Sequence, residues 1–273
     1  MIRIALAALT SAAIAIPASA HDFWIEPADF TPDAAGTVEV DVFVGHGEDK
    51  TGWPVAPHRI IGLRSLGPDG LVNHAKGPES LTQPLEVELA SPGAHLLFIE
   101  TTNSFSELEA EKFDAYAKEE GIRPIEVDRS LNRRTGPGRE LYSRRGKTLL
   151  LVGCEAADRD IWQREVGLTL EVIPRVDPLS WEPGKAFPVE IRFHGAPVQG
   201  ATLHVSNLED DSISFSAQTG EDGRADLSGD LTEGRWLVHS VWSETAPNLL
   251  EGADYQPLFS SLTFDTQGAC EGE

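Results

Sequence analysis

The run Val38-Glu39-Val40-Asp41-Val42-Phe43-Val44 alternates with period two and sets four valines on one face of an extended segment. A helix would need its apolar residues at a 3.6-residue spacing, so this is a strand with one buried face. Leu85-Glu86-Val87-Glu88-Leu89 repeats the arrangement, and turn residues such as Gly67-Pro68-Asp69-Gly70 and Ser91-Pro92-Gly93 punctuate the runs. Short alternating strands divided by Gly and Pro predict a mainly β fold of antiparallel, immunoglobulin-like β-sandwiches. Thr148-Leu149-Leu150-Leu151-Val152 is almost continuously apolar and reads as a central strand.

One segment breaks this rhythm. Ser106-Glu107-Leu108-Glu109 has the form of a capping box, and Leu108, Phe113, Tyr116 and Ala117 follow at helical spacing up to Gly121, a left-handed C-cap. The pattern predicts one amphipathic helix inserted in the first domain, within about residues 104–135, with the charges from Glu107 to Glu120 on its wet face. Composition then turns proline-rich between Ile173-Pro174 and Pro183-Gly184. A second set of strands follows, including Pro188 to Phe193, Ala201 to Val205, Arg224 to Leu227 and Arg235 to Val238, with Asp222-Gly223 as a hairpin turn. The predicted organisation is a signal peptide at 1–20, a β-sandwich at 21–167 and a second β-sandwich with its tail at 168–273.

The start of the chain reads as an export signal. Arg3 precedes an apolar stretch from Ile4 to Ile16, and Ala18-Ser19-Ala20 forms a small-residue cleavage site, which predicts processing between Ala20 and His21 and a periplasmic or secreted product. Losing Arg3 takes the formal net charge from −22 to −23. So acidic a chain argues against nucleic acid and anionic membrane surfaces as partners, since both require basic patches. No later stretch is long and apolar enough to insert in a bilayer. Cys154 and Cys270 predict one disulfide in an oxidising compartment.

Cleavage there would expose His21 as the first residue, whose α-amine and imidazole Nδ1 can chelate one metal ion together. His46 lies in Val44-Gly45-His46-Gly47-Glu48-Asp49, where glycines let the backbone approach a ligand. Pairing of the Phe23-Trp24-Ile25 segment with the Val38 to Val44 strand would bring His21 toward that loop. His194 and His204 alternate against apolar neighbours and are expected to face solvent; His58, His74 and His95 sit beside turns, and the burial of His239 is undecided by periodicity. Hydrolase, zincin, P-loop and dinucleotide-binding signatures are absent from the sequence.

His21-Asp22-Phe23-Trp24-Ile25-Glu26-Pro27, Val44-Gly45-His46-Gly47-Glu48, the Phe105 to Phe113 segment and Glu140-Leu141-Tyr142-Ser143-Arg144 ahead of the Leu149 strand carry a resemblance. The chain resembles a bacterial periplasmic family of unknown function, often described as a nickel/cobalt uptake transporter component. Its second half also resembles transthyretin-like, carboxypeptidase-regulatory sandwiches through Gly195 to Ala201 and Thr219 to Arg224. The resemblance implies His21 and His46 as metal ligands, and a strand histidine before Ser261-Leu262-Thr263-Phe264 that is His239 here or has become Trp242. It implies periplasmic binding of Ni²⁺ or Co²⁺, with Cu²⁺ also suited to such nitrogens, and delivery to a membrane metal-uptake transporter rather than catalysis. Two alternatives stand beside it: a copper histidine-brace redox enzyme, and a metal-free sandwich that binds another protein.

Overall fold

The computed structural model describes residues 22–46, 49–54, 56–75, 83–153, 158–246 and 252–267. Residues 1–20, on which the expected export signal falls, His21, Gly47, Glu48 and both cysteines lie outside these residues, and so does the expected Cys154–Cys270 disulfide.

In chain order the elements are β1 (Asp22–Pro27), β2 (Gly36–Gly45), β3 (Thr51–Gly52), β4 (Ile60–Gly67), β5 (Gly70–Asn73), β6 (Leu85–Leu89), β7 (Gly93–Thr101) and β8 (Ser104–Leu108). Two helices follow, α1 (Ala110–Glu119) and α2 (Arg123–Leu131), and then the long strand β9 (Gly138–Val152). The second half holds β10 (Leu170–Pro174), β11 (Pro188–Phe193), β12 (Ala196–Pro197), β13 (Thr202–Asn207), β14 (Ser214–Gln218), β15 (Arg224–Asp226), β16 (Arg235–Thr245) and β17 (Tyr255–Asp265).

Among the described residues these strands form three sheets in three layers. The middle layer has nine strands in the order β14-β13-β16-β17-β9-β7-β4-β5, with β8 added to β9. Strands from both halves of the chain build it, joined where β17 runs parallel to β9. One outer layer is β1-β2-β3 with β6 on β2, and the other is β10-β11-β12 with β15 on β11.

Alternation explains how the middle sheet serves two cores. On β9, Leu150 and Val152 pack with Leu97 and Ile99 against Phe23, Ile25, Val38, Val40 and Val42 of the first outer sheet. Their neighbours Leu149 and Leu151 point the other way, into a core shared with Leu170, Val172, Val189 and Ile191 of the second. A strand buried on both faces must be apolar at every position, which is why this stretch shows no alternation. Each such side chain removed from water stabilises the fold by roughly 1.5–3 kcal/mol. The period-two strand is β2, and β1 pairs with it antiparallel as expected, with Asp22 opposite Gly45 and Pro27 opposite Val40. Thr263 Oγ1 donates to the Ile25 carbonyl at 2.7 Å and ties β1 across the middle sheet.

Three sequence expectations are corrected. Ser106 to Glu109 is not a capping box: Ser106 sits in strand β8 opposite Glu140, and the helix begins at Ala110 without a side-chain cap. A ladder along five residues of the long β9 outweighs the single bond a cap would provide. The inserted element is also two helices, because the segment after Gly121 forms α2, with Pro124 in its first turn and Ile125 and Arg129 buried. Arg129 pairs with Asp114 and lies over the Phe113 ring, so its charge is neutralised within the insertion. Asp222-Gly223 does form a turn, with Gly223 N donating to Gly220 O at 3.0 Å. It is not a hairpin, because β14 joins the middle sheet while β15 pairs with β11 in the outer one. No helix among the described residues is long and apolar enough to cross a membrane.

Candidate metal centre

Covering of the middle sheet is incomplete at its β13-β14 edge. There the end of β1, the loop after β2 and the end of α1 surround a cleft of about 470 Å³, lined among others by Asp22, His46, Glu120, His204 and His239.

Each of these side chains is aimed by local structure. His204 on β13 lies directly opposite His239 on β16, so both imidazoles leave the same face of the sheet. Asp22 begins β1 and faces them from the outer sheet, and its pairing with Gly45 puts His46 one residue beyond the ladder. Gly45 has φ of +143°, and a Cβ there would lie 2.6 Å from the Asp49 carbonyl oxygen. The glycine therefore lets the loop fold back on itself beside the site.

Glu120 comes from the end of α1, which closes in a Schellman motif. Gly121 N donates to Lys118 O at 3.2 Å and Ile122 N to Ala117 O at 2.8 Å. Gly121 has φ of +64°, and a Cβ on it would fall 2.1 Å from Thr202 Oγ1. This close approach brings the helix end down onto β13, where His204 Nε2 is 3.4 Å from the Glu120 carbonyl oxygen. A helix C-terminus carries a partial negative charge, so it favours a cation in this position.

The donor atoms of Glu120, His204 and His239 all lie within 4.8 Å of one another. Asp22 links this trio to His46, which donates from Nδ1 to Asp22 Oδ2 at 3.3 Å. On its other side Asp22 Oδ1 forms an ion pair with His239 Nδ1 at 2.7 Å. This pairing engages His239 Nδ1 and leaves Nε2 as the nitrogen of that ring available to another partner. Glu120 Oε2 and His239 Nε2 are buried without a hydrogen-bond partner among the described residues. Orphaned buried donors and acceptors are rare in folded proteins and call for an explanation such as a bound ion.

Charge at the site is strongly coupled. Burial pushes the Glu120 carboxyl up to about 7, helped by the nearby Asp22 charge and opposed by His239 and His46. Burial would also raise Asp22, but His239 and then His46 more than reverse this and hold it well below the usual carboxylate range. The hydrogen bond to Asp22 raises His46. Burial would lower His239, and the Asp22 charge outweighs it to raise that group. Burial, followed by repulsion from His239, brings His204 down to about 4, which leaves it a neutral imidazole at pH 7.

Of the histidines singled out from sequence, His46 and His239 meet here, and His21 immediately precedes Asp22 but lies outside the described residues. Asp22, Glu120 and His204 were missed. His204 does point away from the adjacent core, as its parity predicts, but α1 half-buries it. Glu120 is 5% exposed rather than on a wet face. His194 is exposed as expected, while His74 and His95 are buried and bonded to Ser65 Oγ and the Ser91 carbonyl respectively.

No curated protein matches the chain. Among solved structures it is similar to the D0-D1 domain of intimin, at 11% identity over 88% of this chain and 97% of that one, with a TM-score of 0.21. Trypsin-activated alpha-2-macroglobulin from Escherichia coli is similar at 12% identity over 92% of this chain but 16% of its own, with a TM-score of 0.18. The family model described as Domain of unknown function (DUF4198) matches residues 18–244, and the protein therefore belongs to that family.

Proposed function

We propose that this protein captures a divalent transition-metal ion outside the cytoplasm, nickel or cobalt before copper, and passes it to a membrane uptake system without catalysing a reaction. The observation that carries this reading is the grouping of Glu120, His204 and His239, whose donor atoms lie within 4.8 Å of one another, with Glu120 Oε2 and His239 Nε2 buried and without a hydrogen-bond partner among the described residues. Imidazole nitrogens with carboxylate oxygens suit Ni²⁺, Co²⁺, Cu²⁺ and Zn²⁺, and the ligand chemistry disfavours the hard ions Mg²⁺ and Ca²⁺, which take oxygen-only shells. His46 joins the shell directly or steadies it through Asp22, as second-sphere partners of metal ligands do. Cleavage before His21 would add an amine and an imidazole one residue from Asp22, within about 4 Å along the backbone.

Equilibrium dialysis with elemental analysis of the processed protein tests the reading. One Ni²⁺ or Co²⁺ per chain, lost in His239→Ala, is the expected result. A processed protein that retains no metal would leave the metal-free interaction module as the better account. Peroxide production with copper and ascorbate would instead favour the redox enzyme.

A further inference from the structure

The cleft is much larger than an ion requires. Its volume of about 470 Å³ compares with roughly 30 Å³ for each water that could complete a coordination shell. It falls in the range of sites that enclose small organic molecules.

The additional space has an ordered floor. Ser216 lies opposite His204 and Ser214 opposite Ser206, so these serines leave the same face of the sheet as the two histidines. Opposed residues are about 5 Å apart and successive residues on one face about 7 Å apart. The hydroxyls therefore start beside the His204 imidazole and cover an area the size of one amino acid. All three line the cleft, and β14 is the last strand of the sheet, which leaves the floor open from the side. Glu119 and Asp211 line the same cleft and make it acidic.

We propose that the metal arrives as a complex with a small α-amino-acid-type chelator, the ion on Glu120, His204 and His239 and the chelator on the floor of Ser206, Ser214 and Ser216. This rests on the metal-binding reading above. Such a chelator occupies two adjacent positions of the ion through its amine and one carboxylate oxygen. Its second carboxylate oxygen is then free to accept from the serine hydroxyls. A divalent ion with one such anion keeps a single positive charge, which the acidic walls attract. A tricarboxylate would make the complex anionic, and the same walls would repel it.

Native mass spectrometry of the processed protein, given Ni²⁺ alone, with excess glycine or histidine, or with citrate, tests the proposal. The expected spectrum contains protein, Ni²⁺ and one amino acid together, and no citrate adduct. In the Ser206→Ala/Ser214→Ala/Ser216→Ala variant, with its melting temperature checked, the ternary species should fall about tenfold while binding of Ni²⁺ alone persists. Only a Ni²⁺ adduct in the presence of amino acid would overturn the chelate proposal and leave the metal reading standing. A ternary species unaffected by the triple substitution would equally overturn the serine floor, and absence of any Ni²⁺ adduct would overturn both readings.

Discussion

His204 and His239 face each other across the β13-β16 ladder with ring centroids 4.7 Å apart and planes at 86°. Neighbouring antiparallel strands hold them rigidly, so under the proposed function the pair would be positioned before an ion bound. Preorganisation of this kind lowers the ordering cost of binding.

Asp22 fixes the pair to the outer sheet, so its charge and its shape can be separated experimentally. Asp22→Asn is expected to weaken Ni²⁺ binding by roughly 10–100-fold, the usual range for loss of a metal ligand's supporting carboxylate. His239→Ala should cost more, since it removes a donor outright. Titration calorimetry on folded variants provides the comparison, and an Asp22→Asn variant with unchanged affinity would exclude Asp22 from the site.

The contribution of the mature N-terminus is tested by adding a single glycine before His21. The extension keeps every imidazole but moves the α-amine, so binding should weaken and its pH dependence should change. Intact mass of the exported protein is expected to correspond to a chain starting at His21. Equal metal affinity with and without the extension would show that the amine is not a ligand.

Lys147 on β9 and Glu171 on β10 form an ion pair at 3.0 Å between side chains only 1% and 2% exposed. Glu171 also accepts from the backbone N–H groups of Val166 and Gly167. Removing either partner leaves the other charge buried and unpaired, so Glu171→Ala or Lys147→Ala is expected to cost about 3–5 kcal/mol. A Lys147→Met/Glu171→Leu double variant should recover much of that loss. Denaturant titrations at pH 7 would measure both.

Glu140, on β9, makes the stability of the fold depend on pH. Burial pushes its carboxyl up from 4.5 to about 8, and the Tyr116 hydroxyl and Arg144 offset this only in part. The folded state therefore holds the Glu140 proton more tightly than the unfolded chain. Its stability is unaffected below pH 4.5, falls by about 1.4 kcal/mol per unit between the two values, and levels off above pH 8. Glu140→Gln should accordingly be more thermostable than the wild type, by a margin that widens from pH 5 to pH 8. A constant margin across that range would show that Glu140 ionises normally in the fold.

Local patterns in the chain were sufficient for the strands, because a strand's alternation records which face is buried and needs no knowledge of what buries it. The valines of β2, its pairing with β1 and the central apolar β9 were all legible in this way. Gly121 was likewise readable as a helix end, since its positive φ is a local requirement. The family resemblance alone groups His46 and His239 as candidates, since nothing in their local pattern brings them together. Tertiary structure alone decided that β8 would pair with β9, that the two halves would share one sheet, and that Asp22, Glu120 and His204 would join the histidines. The physical reason is separation along the chain. Asp22, Glu120, His204 and His239 lie on four different elements, and what makes them a site is strand register and the docking of a helix end, neither of which leaves a periodic trace in sequence.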